Sequence, residues 1–132
     1  MQLKFWKNLW NTPITALIGL YLIGNGVFFL THNTYFKYPP FLKALENDDI
    51  VGMLFIITGL FFILIKGYPQ HFTKVFESGV YGFATLLMGS LTIIETLHII
   101  FMHIYMPAIA DCCITGIIMI LAARGEAHAQ SK

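Results

Sequence analysis

Four long apolar runs, set apart by short polar or aromatic stretches, organise the chain. The first covers 14–30 and opens with Asn11-Thr12-Pro13, a capping side chain followed by proline at the first helical position. It predicts a span over 13–30. Gly19, Gly24, Asn25 and Gly26 inside it suggest close backbone approach by a neighbouring helix. The connection over 31–49 is the longest polar stretch. Pro39-Pro40 blocks helix continuation there, and Tyr35, Phe36, Tyr38 and Phe41 suit a membrane–water interface. Glu46, Asn47, Asp48 and Asp49 follow, where acidic and capping side chains complement a helix N-terminus; a cation site is the sharper alternative. The second span is predicted over 50–65 and ends at Lys66-Gly67-Tyr68-Pro69.

From 78 to 123 the chain is apolar almost without a break. These 46 residues are too long for one helix across a hydrocarbon core of ~30 Å and sufficient for two. Glu95, Thr96, His98, His103 and Pro107 make 95–107 the polar minimum, which predicts spans over 76–96 and 105–123. A turn nearer Glu95, with a proline-kinked last span, is the alternative. The pattern as a whole predicts an all-α fold: a single four-span domain over 1–132, an integral membrane four-helix bundle of two helical hairpins.

Ahead of the first span, Leu3, Trp6 and Trp10 recur at i, i+3 and i+7, with Leu9 beside them and Lys4 and Lys7 on other faces. This predicts a short interfacial amphipathic segment anchored by Trp6 and Trp10. A disordered tail with chance aromatics is the bland alternative. Lysines before an apolar run also imitate a secretory signal. The 17-residue run is longer than a typical signal core, however, and Thr31, His32, Asn33 and Thr34 offer no small-residue cleavage site, so it is expected to remain as an anchor.

Composition sharpens the class. Of 132 residues 57% are hydrophobic and 11% charged, with mean hydropathy +0.71, against about 25% charged in soluble domains. A soluble fold this small could not bury that much apolar surface, so the lipid bilayer is the expected environment. The net charge of +1 is too small to collect nucleic acid. Four spans would put both termini on one side. Lys4, Lys7, Lys66, Lys74, Arg124 and Lys132 flank that side, against Lys37 and Lys43 on the other, and six against two predicts cytoplasmic termini in the plasma membrane. The halves share no residue pattern, which argues against a duplicated transporter.

Candidate chemistry concentrates near the last turn. Glu95-Thr96-Leu97-His98 places a carboxylate and an imidazole on one helix face, as in di-iron bundles, but those need two such motifs and this chain has one. Glu95, His98, His103, Asp111 and Cys112 are the donors zinc would accept, although their spacing matches no standard finger. The plain reading leaves Glu95 and the histidines wet at the outer interface, and no cofactor is expected. Asp111 has three readings: an interfacial cap, a buried polar anchor to another helix, and a proton or ion relay held neutral or sharing a proton. Cys112 and its neighbour Cys113 are adjacent and so staple no loop; neither has an evident activating base.

Small residues four apart form candidate packing seams: Thr15 and Gly19, Ser78 and Gly82, and Ala108, Cys112 and Gly116. They suit either contacts within the chain or contacts with copies or other membrane proteins. No phosphate-binding loop, nucleophile elbow or zinc-protease motif occurs. The expected role is therefore a non-enzymatic accessory or self-assembling subunit. Redox, metal or proton handling by the polar cluster is the alternative. In size and span count alone the layout resembles small phage holins, which would imply pore formation, but the tail ARGEAHAQSK lacks the dense positive charge common in that class.

Overall fold

The computed structural model describes residues 2–32, 49–103 and 106–130, with side chains described as far as Arg124. The described residues are helical and contain no strand. The helices are α1 (Gln2–Asn11), α2 (Pro13–Thr31), α3 (Asp49–Gly67), α4 (Lys74–Met102) and α5 (Ala108–Gln130), with a 3₁₀ turn at Pro69–His71 after α3. The expectations for the 31–49 connection, including Pro39-Pro40, its aromatic residues and the acidic run before Asp49, lie outside the described residues.

Three helices, Pro13–Thr31, Asp49–Gly67 and Lys74–Met102, are long and apolar enough to cross a membrane. Their outward faces are as apolar as their inward ones. On α3, Met53, Ile57, Leu60 and Leu64 are exposed while Phe55 and Phe62 are buried. A helix hydrophobic all round belongs in a large core or in lipid, and a chain of this size has no large core. The interior instead holds polar groups, with Thr15, Thr58, Glu95, His98 and Asp111 all buried.

Packing is organised by two helix pairs, α2 with α3 and α4 with α5. In the first, glycine meets glycine at two places. A Cβ on Gly59 would stand 2.5 Å from the Gly19 carbonyl oxygen, and one on Gly26 would stand 2.5 Å from that of Gly52. Numbers rise along α2 as they fall along α3, so the helices run antiparallel. Both glycines recur after seven residues, the period at which one seam stays in register along two helices. Phe29 and Phe55 fill the space beside one crossing edge-to-face, with centroids 5.4 Å apart. Phe62 meets Tyr81 of α4 at 4.9 Å beside the other. Ile18, Leu22, Ala84, Met88, Leu91 and Ile118 complete the core.

Helix α1 docks on the end of α3. The Phe5 ring lies over Gly67 and meets Tyr68 at a tilt of 39° with centroids 5.0 Å apart, while the Asn8 amide donates to the Gly67 carbonyl at 3.1 Å. Leu3, Trp6 and Trp10 face away from that contact and are exposed. Thr12 precedes Pro13 as expected, but its hydroxyl makes no cap. It donates to the Asn8 carbonyl at 3.2 Å, joining α1 to α2 instead. The Thr73 side chain does cap α4, accepting from the Phe76 N–H at 3.2 Å.

The last two helices depart most from the sequence expectation. Helix α4 runs to Met102 rather than ending near 96, and α5 begins at Ala108 rather than near 105. No residue between 96 and 102 breaks a helix. Thr92 and Thr96 hide their hydroxyls on carbonyls four residues back, at 2.8 and 2.7 Å. The helix stops at His103, whose φ of 53° makes it a left-handed C-terminal cap.

Candidate functional site

Helix α4 buries one stripe along its length: Tyr81, Ala84, Met88, Leu91, Glu95 and His98. The stripe is polar at both ends and apolar between. At its N-terminal end Glu77 binds Lys66 of α3, and Lys74 approaches the same carboxylate at 3.5 Å. The Lys66 ammonium also lies 5.7 Å from the Tyr81 ring centroid. This joint closes α3 onto α4 at the end where α1 docks.

At the other end lies a cluster that the fold assembles from three helices. Glu95, His98 and Asp111 are each no more than 1% exposed. Asp111 stands one turn into α5, and the Tyr21 hydroxyl of α2 donates to its Oδ1. Asn25, one turn further along α2, and Glu95 are close enough to act on the same hydroxyl. The Asn25 amide nitrogen is buried, with no hydrogen-bond partner among the described residues. The His98 Nδ1–H donates to the Ile94 carbonyl at 3.0 Å, which fixes the orientation of the ring.

The energetics of this cluster do not favour burial for its own sake. A carboxylate taken out of water without a charged partner costs several kcal/mol, whereas one interhelical hydrogen bond returns about 0.6 kcal/mol on average. Asp111 has no lysine or arginine partner among the described residues. A group buried at a net loss is a functional candidate on that ground.

The cluster lies near one end of α4. Glu95 lies about 10 Å along the helix from the end of α4, and His98 about 6 Å. Toward the opposite end the next buried polar group on the stripe is Tyr81, about 21 Å away along the axis. Leu22, Met88, Leu91 and Ile118 fill the interval, and all are buried. The Thr85 and Thr92 hydroxyls in that interval bond back to their own helix. The polar groups of the stripe are thus gathered at its two ends, with apolar packing between them.

The other sequence candidates are placed apart from it. His103 is exposed, and its backbone ends α4. Cys112 and Cys113 are exposed free thiols on the outer side of α5. No group of three or more His, Cys, Asp or Glu able to hold a metal occurs among the described residues. Of the small-residue seams, Thr15, Gly19 and Ala108 are buried, and Gly19 is in close contact. Gly82 and Gly116 have open space where a Cβ would stand, and Cys112 lies outside. Tyr21 is the residue that sequence reading passes over. Its one signal is Asn25, four residues on and therefore on the same helix face. Comparison with protein-family models, with curated proteins and with solved structures finds no match.

Proposed function

We propose that the protein is a four-span plasma-membrane subunit, a bundle of two helical hairpins with both termini in the cytoplasm. In this reading it catalyses no reaction, and its helix packing responds to a proton held in the Asp111–Glu95–His98 cluster. The fourth span is α5. The observation that carries the reading is the burial, to 1% exposure or less, of three ionisable side chains around the Tyr21–Asp111 bond.

Two carboxylates in so dry a place repel each other, and a single proton shared among the two acids and the imidazole relieves that repulsion. Tyr21 faces the cluster from α2, Glu95 and His98 from α4, and Asp111 from α5. Losing the proton leaves uncompensated charge between α2, α4 and α5 and favours their separation at that end. The apolar packing between the two polar ends of the α4 stripe supports proton binding without conduction. In this reading the polar cluster, near the α4–α5 turn and opposite the docked α1, lies toward the outer side of the membrane.

Infrared spectroscopy of the full chain in lipid vesicles tests the reading. A protonated-carboxyl band is expected that disappears on raising the pH and is absent from Asp111→Asn. A spectrum with every carboxylate ionised across the neutral range would end it, as would an unchanged band in Asp111→Asn together with Glu95→Gln.

Assembly is the complementary part of the proposal. Gly79 and Gly82 on α4 and Gly116 on α5 meet nothing within 4 Å of a built Cβ. Glycine weakens a helix unless something comes close, so these positions suit a second copy or another membrane protein. Crosslinking in native membranes would show a dimer or larger complex, and a strictly monomeric chain would remove this part.

A further inference from the structure

We infer that Asn25 sets the proton affinity of the Asp111–Glu95–His98 cluster: its amide donates to the Tyr21 oxygen once Asp111 is ionised and so strengthens the Tyr21–Asp111 bond. The inference rests on the proton-binding reading of that cluster. It adds a positioning residue that acts through Tyr21 rather than on the carboxylate itself.

Tyr21 and Asn25 stand four residues apart on α2 and therefore on one face. The single Tyr21 proton is given to Asp111 Oδ1, and the phenol oxygen keeps lone pairs that can accept. The Asn25 side chain is close enough to act on that hydroxyl. Its amide nitrogen is nevertheless buried and donates to nothing among the described residues. Buried polar groups without a partner are rare in folded proteins, and each one asks for a reason. Leucine or alanine at this position would pack in lipid without that loss. The idle donor is therefore held for a state in which it is used.

That state is the ionised one. A carboxylate in dry surroundings is stabilised by every donor that supports it. In a chain running from amide N–H to phenol oxygen to carboxylate, each link polarises the next. Tyr21 is faced by Asp111 from α5 and by Glu95 from α4. His98 lies one turn beyond Glu95 on the same stripe. Helix α3, which also packs against α2, buries no ionisable side chain. Asp111 has no lysine or arginine partner among the described residues, and the Asn25–Tyr21 pair is the neutral substitute for that cation. While the cluster holds its proton, Asp111 draws less on Tyr21, and the amide stays unengaged.

Infrared titration of the full chain in lipid vesicles follows the protonated-carboxyl band against pH. The amide I band in the same spectra shows that the helices are intact. Asn25→Leu, close to asparagine in size, is expected to bind the proton roughly three- to tenfold more tightly, which raises the midpoint by about half to one pH unit. Asn25→Ala, which removes the donor without adding bulk, is expected to do the same. With Tyr21→Phe already in place, Asn25→Leu is expected to move the midpoint no further.

A midpoint left in place or lowered by both Asn25 variants would overturn the inference. So would a shift of equal size with and without the Tyr21 hydroxyl. Failure of the underlying reading looks different: the unaltered chain would show no protonated-carboxyl band to titrate, and both would fall together.

Discussion

Where α2 crosses α3, glycine meets glycine twice and no ionisable side chain enters the seam. Where α4 lies along α5, large side chains such as Met88, Leu91 and Ile118 fill the centre, and Glu95, His98 and Asp111 occupy the end. The first contact brings backbones together and leaves no room for a group that needs hydration or a proton. The second is filled by side chains, and its end holds the buried polar cluster. Close packing and buried ionisable groups are thus separated between two helix pairs, and the Tyr21–Asp111 bond links the first pair to the polar cluster of the second.

The contrast is broken most directly at Gly59. Gly59→Ala puts a Cβ against the Gly19 carbonyl and Ile23 and is expected to cost about 2–3 kcal/mol, as overpacking does. The control Gly89→Ala, where nothing stands within 4 Å, is expected to cost nothing and to add about 0.5–1 kcal/mol from helix propensity. Reversible unfolding in bicelles measures both, and equal effects would refute the close crossing.

Glu77→Gln comes next. It leaves half-buried Lys66 without its carboxylate and is expected to lower stability by roughly 1 kcal/mol while opening α3 from α4 at that end alone. A distance label between residues 68 and 76, compared with one between 54 and 87, checks that the loss is local.

A double-mutant cycle of Tyr21→Phe and Asp111→Asn gives the strength of the bond between the two pairs. A coupling of about 0.6–1.7 kcal/mol is expected. A much larger value would make the cluster a structural clamp and undercut its proposed role as a proton site. The smallest effect belongs to His103→Gly. It relieves a left-handed conformation and is expected to stabilise the α4 terminus by up to about 1 kcal/mol; hydrogen exchange at the last turn of α4 reads it out.

Much of the fold is legible in hydropathy because lipid demands long apolar helices, and the starts of α2 and α3 fall within a residue of expectation. What hydropathy misreads is the meaning of polarity. Glu95 and His98 resemble a turn because polar residues in a long apolar run usually mark an exit to water; here they are interior to α4, and the turn waits for His103 and Pro107. The glycine seam was half visible. Gly19 and Gly26 stand seven apart and so do Gly52 and Gly59, but a search at spacing four finds Gly82 and Gly116, which meet nothing. Asp111 was recognisable as costly. Its partner was not, because Tyr21 lies ninety residues away and a tyrosine in a span is unremarkable without the fold.

Helix α4 has 29 residues against 19 in each of α2 and α3, a length of about 43 Å against about 28 Å. The shorter pair matches an average hydrocarbon slab of ~30 Å, and the longer helix overshoots it. In a membrane such a helix would lean or protrude, and an open groove against α3, lined by Leu54, Ile57, Phe76 and Phe83, leaves space beside it. In a bilayer, thickness would therefore act on one helix more than on its neighbours. A thicker membrane would draw α4 upright, and a thinner one would tip it further and carry Glu95 and His98 sideways relative to Tyr21.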